Sequence, residues 1–489
     1  MLPWKSLIQL NASSDLAVYL QIANAIISEI KQGIIKPGER IPGTRDLSIL
    51  LNVHRQTVVS AYDELDAQGW IYSLPSKGTF ISERLPEITP RKLSAPDRKK
   101  LNAEKTGYDF TIRTWLRTPS PPLRNILGFH DGPDPRIAPI KQLTSAYRRV
   151  LSRKSGLHYF SYVDERGKEE LRKVLSEHLN SSRGMQTTPD TIFISRGSQM
   201  GLYLVSQVII SKGDHVVVGE TNYYYTDRAF MNAGANLIRV PVDNDGIDVE
   251  AIEKLCRKKK IRAVNVTSHH HYPTTVTLSA ARRMKLLSLA ERYGFVIVED
   301  DYDYDLHYNS SPILPLASAD QNGMVIYVGT LSKTIAPALR IGYVAAPKNL
   351  ISEISKLRQI VDIQGDPILE QAVAELFTLG EIRRHMKKAL KEYHVRRDHL
   401  CSLLRENLSH VIDFKTPEGG LAIWARFDKK ISLPDLNIEL RKKELVLSNG
   451  LIHNTNEKMK LNATRMGFGW MNVRESERAF NILYETIRK

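Results

Sequence analysis

Residues 324–343 read MVIYVGTLSKTIAPALRIGY and set the fold expected for the chain. Residues 324–328 form an apolar, β-branched run of strand length, and residues 341–346 form a second one. Lys333 lies between the two runs. A lysine held against buried strands loses hydration, and this loss favours the neutral, nucleophilic form that a Schiff base requires. The alternative is a solvated loop lysine, because lysine is mostly exposed in proteins.

Composition and charge indicate a globular protein with anionic partners. The 489 residues are 42% hydrophobic and 25% charged, which suits two or three soluble domains. Two cysteines, Cys256 and Cys401, form no disulfide framework, so we expect a reducing, cytoplasmic compartment. The N-terminus lacks the apolar core of a signal peptide, and no apolar run approaches the roughly 20 residues that span a membrane. The net charge of +15 favours polyanions, although a basic surface is often only a solvated one.

The first 82 residues follow the pattern of a DNA-binding unit. Apolar residues recur at helical spacing over residues 16–30, and Thr44 can cap a second helix over residues 45–51. A third helix over residues 55–68 begins with polar residues, which is helix-turn-helix geometry. Residues 71–81 predict a β-hairpin that would serve as a wing. The residues expected to contact operator DNA are Arg45, Arg55, Gln56, Thr57 and Lys77.

A small helical bundle without a ligand is the alternative for this region. Residues 1–84 hold eight Lys/Arg and eight Asp/Glu, a net charge of zero, which favours that alternative. The run from Val18 to Ser82, however, closely resembles the GntR-type winged helix. One departure is Gly43, where that family usually has serine. The resemblance implies binding to operator DNA.

A proline-rich stretch separates this region from the rest of the chain. We expect an extended linker over residues 83–124, between a DNA-binding domain of residues 1–82 and a large domain of residues 125–489. Residues 85–124 hold nine Lys/Arg against four Asp/Glu. Such charge is usually solvated, but it could also contact the DNA backbone.

The large domain contains a strand-to-helix turn that could bind a phosphate. Strands alternate with helices from about residue 125, which predicts an α/β fold with a mostly parallel sheet. A strand over residues 191–194 leads through Gly197 into Ser198, Gln199 and a helix over residues 200–210. The free N–H groups and dipole of a helix N-terminus attract anions. One such turn alone is weak evidence.

An acidic run follows a second buried strand. Residues 295–298 lead into Glu299, Asp300, Asp301, Tyr302 and Asp303, at the end of a parallel strand where ligands bind. A carboxylate there can keep a pyridine nitrogen protonated, and a tyrosine two residues later can donate to a ring oxygen. The alternative is a site for an oxygen-liganded cation. We expect no metal, because the lysine and the phosphate-binding turn require an organic cofactor.

Taken together, these motifs resemble the MocR/GabR family of bacterial regulators, which join a GntR-type winged helix to a domain like a fold-type I aminotransferase with a smaller C-terminal subdomain. The resemblance implies pyridoxal 5'-phosphate bound to Lys333 as a Schiff base, with Asp300 at the pyridinium and Tyr302 at the ring hydroxyl. It also implies a homodimer. The phosphate would be held by Ser198, Gln199, Thr330, Ser332, Arg340 and, from the partner subunit, the residue equivalent to Tyr162. Tyr224 is predicted to stack on the ring, and Arg465 to bind an effector carboxylate.

The segment 269–275 departs from the family pattern. The family usually has SHQFPTG there, whereas this chain has HHHYPTT. Tyr272 replaces a cofactor-contacting asparagine of aminotransferases, and Thr275 replaces the glycine. Consecutive histidines of a strand point to opposite faces. We therefore predict that they form a wall of the cofactor pocket and do not bind one metal ion.

The sequence as a whole predicts a transcriptional regulator that binds operator DNA and senses an amino compound or pyridoxal phosphate itself. The first alternative is an active aminotransferase with an accessory DNA-binding domain. The second is a DNA-binding scaffold with an empty, inactive domain. The altered residues 272 and 275 predict at most a partial transamination half-reaction.

Overall fold

The computed structural model describes residues 3–11, 14, 16–85, 105–116, 127–152, 159–308, 313–455 and 459–488. It divides into two compact units, Met1–Arg113 and Thr114–Lys489. Most of the predicted linker, at residues 86–104 and 117–124, lies outside the described residues. Within the described part of the chain, no helix is long and apolar enough to cross a membrane.

The N-terminal unit is a three-stranded antiparallel sheet with a small helical core. Its helices and strands are α1 (Trp4–Leu7), α2 (Val18–Lys31), β1 (Arg40–Ile41), α3 (Thr44–Leu51), α4 (Arg55–Ala67), β2 (Ile71–Leu74) and β3 (Gly78–Ile81). The strand order is β1-β3-β2. Ile26, Leu47, Val58 and Leu65 are fully buried between the helices. The helix-turn-helix and the wing predicted from the sequence are confirmed.

The start of α3 differs from the prediction. Gly43 is its N-cap residue, and Thr44 is already helical, so the prediction of a Thr44 cap is wrong. Gly43 takes an extended conformation and offers no side-chain cap. The Thr44 hydroxyl instead accepts a long hydrogen bond, 3.5 Å, from Arg55 Nε. Asn52, in the turn between α3 and α4, has φ 54°, which asparagine tolerates better than most residues.

The C-terminal unit contains a large sheet covered by helices and a smaller antiparallel sheet. Its strands are β4 (Leu127–Gly128), β5 (Ile192–Ser195), β6 (His215–Gly219), β7 (Asn236–Val240), β8 (Val242–Asp243), β9 (Gly246–Ile247), β10 (Ile261–Val266), β11 (Val296–Asp301), β12 (Val325–Thr330), β13 (Gly342–Ala345), β14 (Ile412–Asp413), β15 (Ala422–Phe427), β16 (Leu445–Val446) and β17 (Ala463–Gly467). Its helices are α5 (Ile140–Ser152), α6 (Glu169–Arg183), α7 (Gly197–Ile209), α8 (Tyr224–Asn232), α9 (Val249–Cys256), α10 (Ala280–Tyr293), α11 (Leu316–Ala319), α12 (Lys348–Val361), α13 (Pro367–Thr378), α14 (Glu381–Leu408), α15 (Leu433–Lys442) and α16 (Val473–Ile487).

The large sheet has the order β5-β13-β12-β11-β10-β6-β7. All its neighbours are parallel except β13, which runs antiparallel to both β5 and β12. The register pairs Gly342 with Thr330 on one side and with Ser195 on the other. The carboxyl ends of β5, β10, β11 and β12 therefore meet at one edge of the sheet. The predicted fold class, an α/β fold with a mostly parallel sheet, is confirmed.

The smaller sheet has the order β14-β15-β17 and shares a core with α14, α15 and α16. A two-residue parallel pairing of β4 with β16 joins the start of this unit to its end. The segment that follows β4 then crosses β17, where the Gly467 N–H donates to the Phe129 carbonyl at 3.1 Å. This hydrogen bond to β17 brings residues 129–132 beside Arg465.

Candidate cofactor site

A cavity of about 540 Å³ lies at the carboxyl edge of the large sheet. Eight residues predicted from the sequence line it together: Ser198, Gln199, Asp300, Tyr302, Thr330, Ser332, Lys333 and Arg340. Eight further residues complete the lining: Asp131, Gly132, Pro133, Tyr223, Tyr225, Thr267, Tyr272 and Pro337. The ends of β10, β11 and β12 and the starts of α7 and α8 thus contribute to one site.

One end of the cavity has features that suit an anion. Helix α7 begins at Gly197, whose φ of +76° is accessible to glycine at little cost. A Cβ at this position would lie 2.7 Å from Cζ of Arg340, so glycine lets the guanidinium approach the helix N-terminus. The Ser332 hydroxyl is buried and has no hydrogen-bond partner among the described residues. A cation, a helix N-terminus and an unused hydroxyl converge there.

Asp300 is the one carboxylate of the acidic run that lines the cavity. Its Oδ1 is buried without a hydrogen-bond partner in the described part of the chain. Burial raises the pKa of Asp300 to about 7, and the neighbouring charges of Asp301 and Asp303 add to this effect. A positively charged or proton-donating ligand atom would remove this penalty.

The other carboxylates of the run have partners of their own. Asp301 Oδ2 lies 3.1 Å from His269 Nδ1, and Asp303 Oδ1 lies 2.8 Å from His270 Nδ1. Glu299 accepts from the backbone N–H groups of α11. Because the carboxylates point to different partners, the structure disfavours the cation-site alternative.

The three consecutive histidines also diverge, since His271 Nε2 contacts the Thr221 carbonyl at 2.8 Å. They are buried behind the cavity and do not line it, so their predicted role as a pocket wall is wrong. The reason is that they lie in the turn after β10, where each ring packs toward a buried polar partner. Tyr272, the next residue, supplies the wall instead.

Lys333 lies on the loop after β12 with its side chain 21% exposed. Its ammonium donates to the backbone carbonyl of Asp131 at 2.6 Å and lies 3.6 Å from Oδ1 of the same residue. The Tyr302 ring centroid is 6.0 Å away, and the Tyr302 hydroxyl donates to the His270 carbonyl at 3.0 Å. Lys333, Tyr302 and Asp300 therefore surround one space, as the sequence predicts.

Arg465 lies behind the cavity and is not part of its lining. Its Nε donates to Asp131 Oδ2 at 2.7 Å, and its Nη1 donates to the Pro273 carbonyl at 2.9 Å. Burial alone would raise the pKa of Asp131, but the charges of Arg465 and Lys333 outweigh it and hold that pKa well below its usual range. The arginine predicted to bind an effector carboxylate is thus already paired with a carboxylate of the chain.

Tyr224 is not at the cavity, which corrects its predicted stacking role. Its hydroxyl donates to the Trp115 carbonyl at 3.0 Å, and its ring lies 4.7 Å from the Arg228 guanidinium. Tyr223 lines the cavity in its place. The two side chains point in different directions because Tyr223 is the N-cap of α8 and Tyr224 is its first helical residue.

Tyr162 does not line the cavity and is 82% exposed. Its contact with a partner subunit, and with it the homodimer, stays a prediction. In the N-terminal unit, Arg45, Arg55, Gln56 and Lys77 are exposed, whereas Thr57 is half-buried. The DNA contacts of these five residues also stay predictions.

Sequence reasoning missed Asp131, Tyr223 and Thr267. Thr267 directly follows β10, so the rule that ligands bind beyond parallel strand ends could have found it. Asp131 follows a strand of only two residues, which gives no periodic signal. Missing from the prediction as well is His54, which caps α4 by accepting from the Gln56 N–H at 3.2 Å.

Comparison with known proteins supports both units separately. Residues 134–464 match the aminotransferase class I and II family, and residues 18–81 match the gntR family of bacterial regulatory proteins. The uncharacterized HTH-type transcriptional regulator YdfD of Bacillus subtilis is 28% identical over 469 residues, 94% of each chain. The probable rhizopine catabolism regulatory protein MocR of Rhizobium meliloti is 26% identical and covers 86% of this chain and 84% of its own.

A solved structure resembles the larger unit. The kynurenine aminotransferase of Pyrococcus horikoshii superposes with a TM-score of 0.69 at 26% identity, covering 74% of this chain and 91% of that one. Its crystal structure is described as a complex with PMP, KYN and KYA. The match shows that the larger unit has the fold of an aminotransferase.

Fold and site thus define a class of protein in which a GntR-type DNA-binding domain precedes an aminotransferase-like domain. The chain belongs to the aminotransferase class I and II family and, with its GntR domain, to the MocR group of HTH-type transcriptional regulators. The family resemblance found in the sequence is confirmed.

The raised pKa of Asp300 predicts a pH-dependent cost in the cofactor-free protein. The pKa of this carboxyl rises from roughly 3.9 in the unfolded chain to about 7 in the folded protein. The folded protein therefore loses stability as the pH rises from about 4 to about 7. Asp300→Asn removes the titration. Its stability relative to the parent should therefore increase by about 2–3 kcal/mol between pH 4.5 and pH 8, as measured by urea denaturation.

Asp190→Asn is the control. Asp190 is an exposed carboxylate, and its hydrogen bond from Lys348 lowers its pKa. Any stability that Asp190 contributes is lost only in acid, so the effect of Asp190→Asn should be small and about equal at pH 5 and pH 8. The account of Asp300 is wrong if the relative stability of Asp300→Asn is the same at both ends of the pH range.

Proposed function

We propose that this protein is a transcriptional regulator that binds operator DNA through its N-terminal unit and binds pyridoxal 5'-phosphate and a small amino compound in the cavity. The observation that carries the proposal is that one chain contains both units. The N-terminal unit is a winged helix with exposed polar residues at the start of α4. The C-terminal unit has a cavity that is lined by both Lys333 and Asp300. A regulator with an empty, inactive domain would not need to retain this cavity.

The residues present fit pyridoxal phosphate. The unpartnered Oδ1 of Asp300 suits a protonated pyridine nitrogen. Tyr302 lines the same cavity and would donate to a ring oxygen in place of the His270 carbonyl. The turn at Gly197 suits the phosphate, because the absence of a side chain there lets the Arg340 guanidinium approach the N-terminus of α7. When bound, the cofactor would supply a carbonyl carbon that condenses with primary amines and a ring that accepts electrons. Among the described residues that line the cavity, Lys333 is the one lysine.

The chain's own residues suggest how a ligand would be sensed. The Lys333 ammonium contacts both the carbonyl and the carboxylate of Asp131, and Asp131 is bonded to Arg465 on β17. An amine that takes the place of Lys333 changes the partners of Asp131, which joins the large sheet to the smaller one. A ligand shifts a conformation only by its differential affinity for the two states. We propose that the ligand's affinity differs between the two states because the contacts of Asp131 differ.

An active aminotransferase is the second candidate, favoured by Lys333, Asp300 and Tyr302 in one cavity. Two features disfavour rapid turnover. Tyr272 lines the cavity where aminotransferases have an asparagine. Arg465, the residue expected to bind a substrate carboxylate, already donates to Asp131. Proton transfer by a freed lysine requires a tightly held substrate. We propose a slow half-reaction at most.

The experiment that tests cofactor binding uses Lys333. Protein loaded with pyridoxal phosphate should show a visible absorption band, and borohydride should fix the cofactor covalently to the peptide that contains Lys333. Lys333→Ala should lose both signals. Lys348→Ala, at an exposed lysine that pairs with Asp190, should retain them. Peptide mass spectrometry decides the matter: cofactor fixed to any other lysine refutes the assignment.

The DNA interface is tested by two substitutions with different expected effects. Arg55→Ala, at the start of α4, should cost roughly 1–3 kcal/mol of operator affinity and relax specificity at one base position. Lys77→Ala, on the wing, should weaken binding to all sequences alike. Gel shifts over single-base operator variants measure both. Equal discrimination by Arg55→Ala and the parent protein would show that α4 does not read the operator.

A further inference from the structure

Asp131 is a carboxylate of the chain that occupies a position suited to a ligand carboxylate. It lines the cavity, and its Oδ2 is 2.7 Å from Arg465 Nε. Its Oδ1 is 3.6 Å from Lys333 Nζ and has no hydrogen-bond partner among the described residues. One carboxylate therefore faces two cations, Lys333 and Arg465.

The fold fixes this carboxylate in place. The pairing of β4 with β16 holds the start of the segment before Asp131. The hydrogen bond from the Gly467 N–H to the Phe129 carbonyl attaches the same segment to β17. A Cβ at Gly467 would lie 2.7 Å from the Asp131 amide nitrogen, so the two segments are in close contact. Arg465 is two residues from Gly467 on the same strand. The pair is thus held by the backbone.

Arg465 has little capacity left for a second carboxylate. Its Nη1 donates to the Pro273 carbonyl at 2.9 Å, and its guanidinium lies 4.8 Å from the Tyr272 ring centroid. The side chain is 4% exposed. A ligand carboxylate at this position would have to approach Asp131, and two like charges so close repel each other strongly.

We propose that Asp131 makes the site selective for primary amines that lack a carboxylate on the carbon bearing the amine, and against α-amino acids. The inference rests on the proposed function, because it concerns the ligand of the same cavity. Asp131 takes the place of the ligand carboxylate at Arg465 and offers its free oxygen to an ammonium group. It is a specificity-determining residue.

The test compares amines with the amino acids from which they differ by one carboxylate. The pairs are ethylamine and L-alanine, 3-methylbutylamine and L-leucine, and 1,5-diaminopentane and L-lysine. Each is titrated into the full-length protein loaded with pyridoxal phosphate. Binding is followed by the change in the visible band and, independently, by isothermal calorimetry. The amine of each pair should bind about tenfold more tightly, or better.

Asp131→Asn should abolish this preference, because it leaves the charge of Arg465 unpaired. The variant should bind each amino acid about tenfold more tightly than the parent does, with little gain for the amine. Asp190→Asn is the control, since Asp190 is an exposed carboxylate paired with Lys348 and outside the cavity. It should keep the preference of the parent.

The outcomes separate the two proposals. A protein that takes up no pyridoxal phosphate overturns the proposed function and this inference with it. A loaded parent protein that binds the amino acid of each pair as tightly as the amine overturns the inference alone, and this result needs no folded variant. An unchanged preference in a folded Asp131→Asn protein also overturns the inference.

Discussion

The candidate site depends on the close approach of β13 to the N-terminus of α7. Gly342 lies between Ser195 and Thr330 in the sheet, and a Cβ at Gly342 would lie 2.8 Å from Gly197 Cα. Because both residues are glycines, the helix start can rest directly on the strand. The same contact fixes the loop from Thr330 to Gly342, which carries Ser332, Lys333 and Arg340. The sites expected for the phosphate and for the amine are therefore set by one contact between backbones.

The distribution of charge shows where a ligand is needed. Around the site, Asp301, Asp303 and Arg465 all have short contacts to oppositely charged or polar groups. Asp300 differs, because its Oδ1 is buried and the described residues offer its carboxylate neither a hydrogen-bond donor nor an ion pair. Buried polar groups are normally satisfied, so an exception of this kind is typical of a binding site. The chain thus loses stability at the point where a protonated ring nitrogen would restore it.

The sequence predicted the parts of the site that follow directly from long, regular elements. Asp300, Thr330 and Lys333 could be placed because each lies at or just after a buried strand of the parallel sheet, where ligands bind. The winged helix could be predicted because α2 and α4 show clear apolar periodicity. In both cases the local pattern and the tertiary structure agree.

The predictions that failed depend on details finer than the periodicity of long helices and strands. Tyr223 and Tyr224 can be told apart only from the exact start of α8. Helix boundaries are the least certain part of any sequence pattern. The Thr44 cap failed for the same reason. Asp131 could not have been found, because its place depends on two-residue strands that pair residues far apart in the chain. Its contact with Arg465 is the observation behind the proposal that the ligand is an amine without a neighbouring carboxylate.

The central claim is that the cavity and the DNA-binding unit of this chain form one regulatory system. The most direct test measures operator affinity with and without a saturating amine, and amine affinity with and without operator DNA, on the same pyridoxal phosphate-loaded protein. Linkage requires the two affinities to change by the same factor, and we predict a factor of about five or more. Unchanged operator affinity at an amine concentration that fully shifts the visible band would contradict the account.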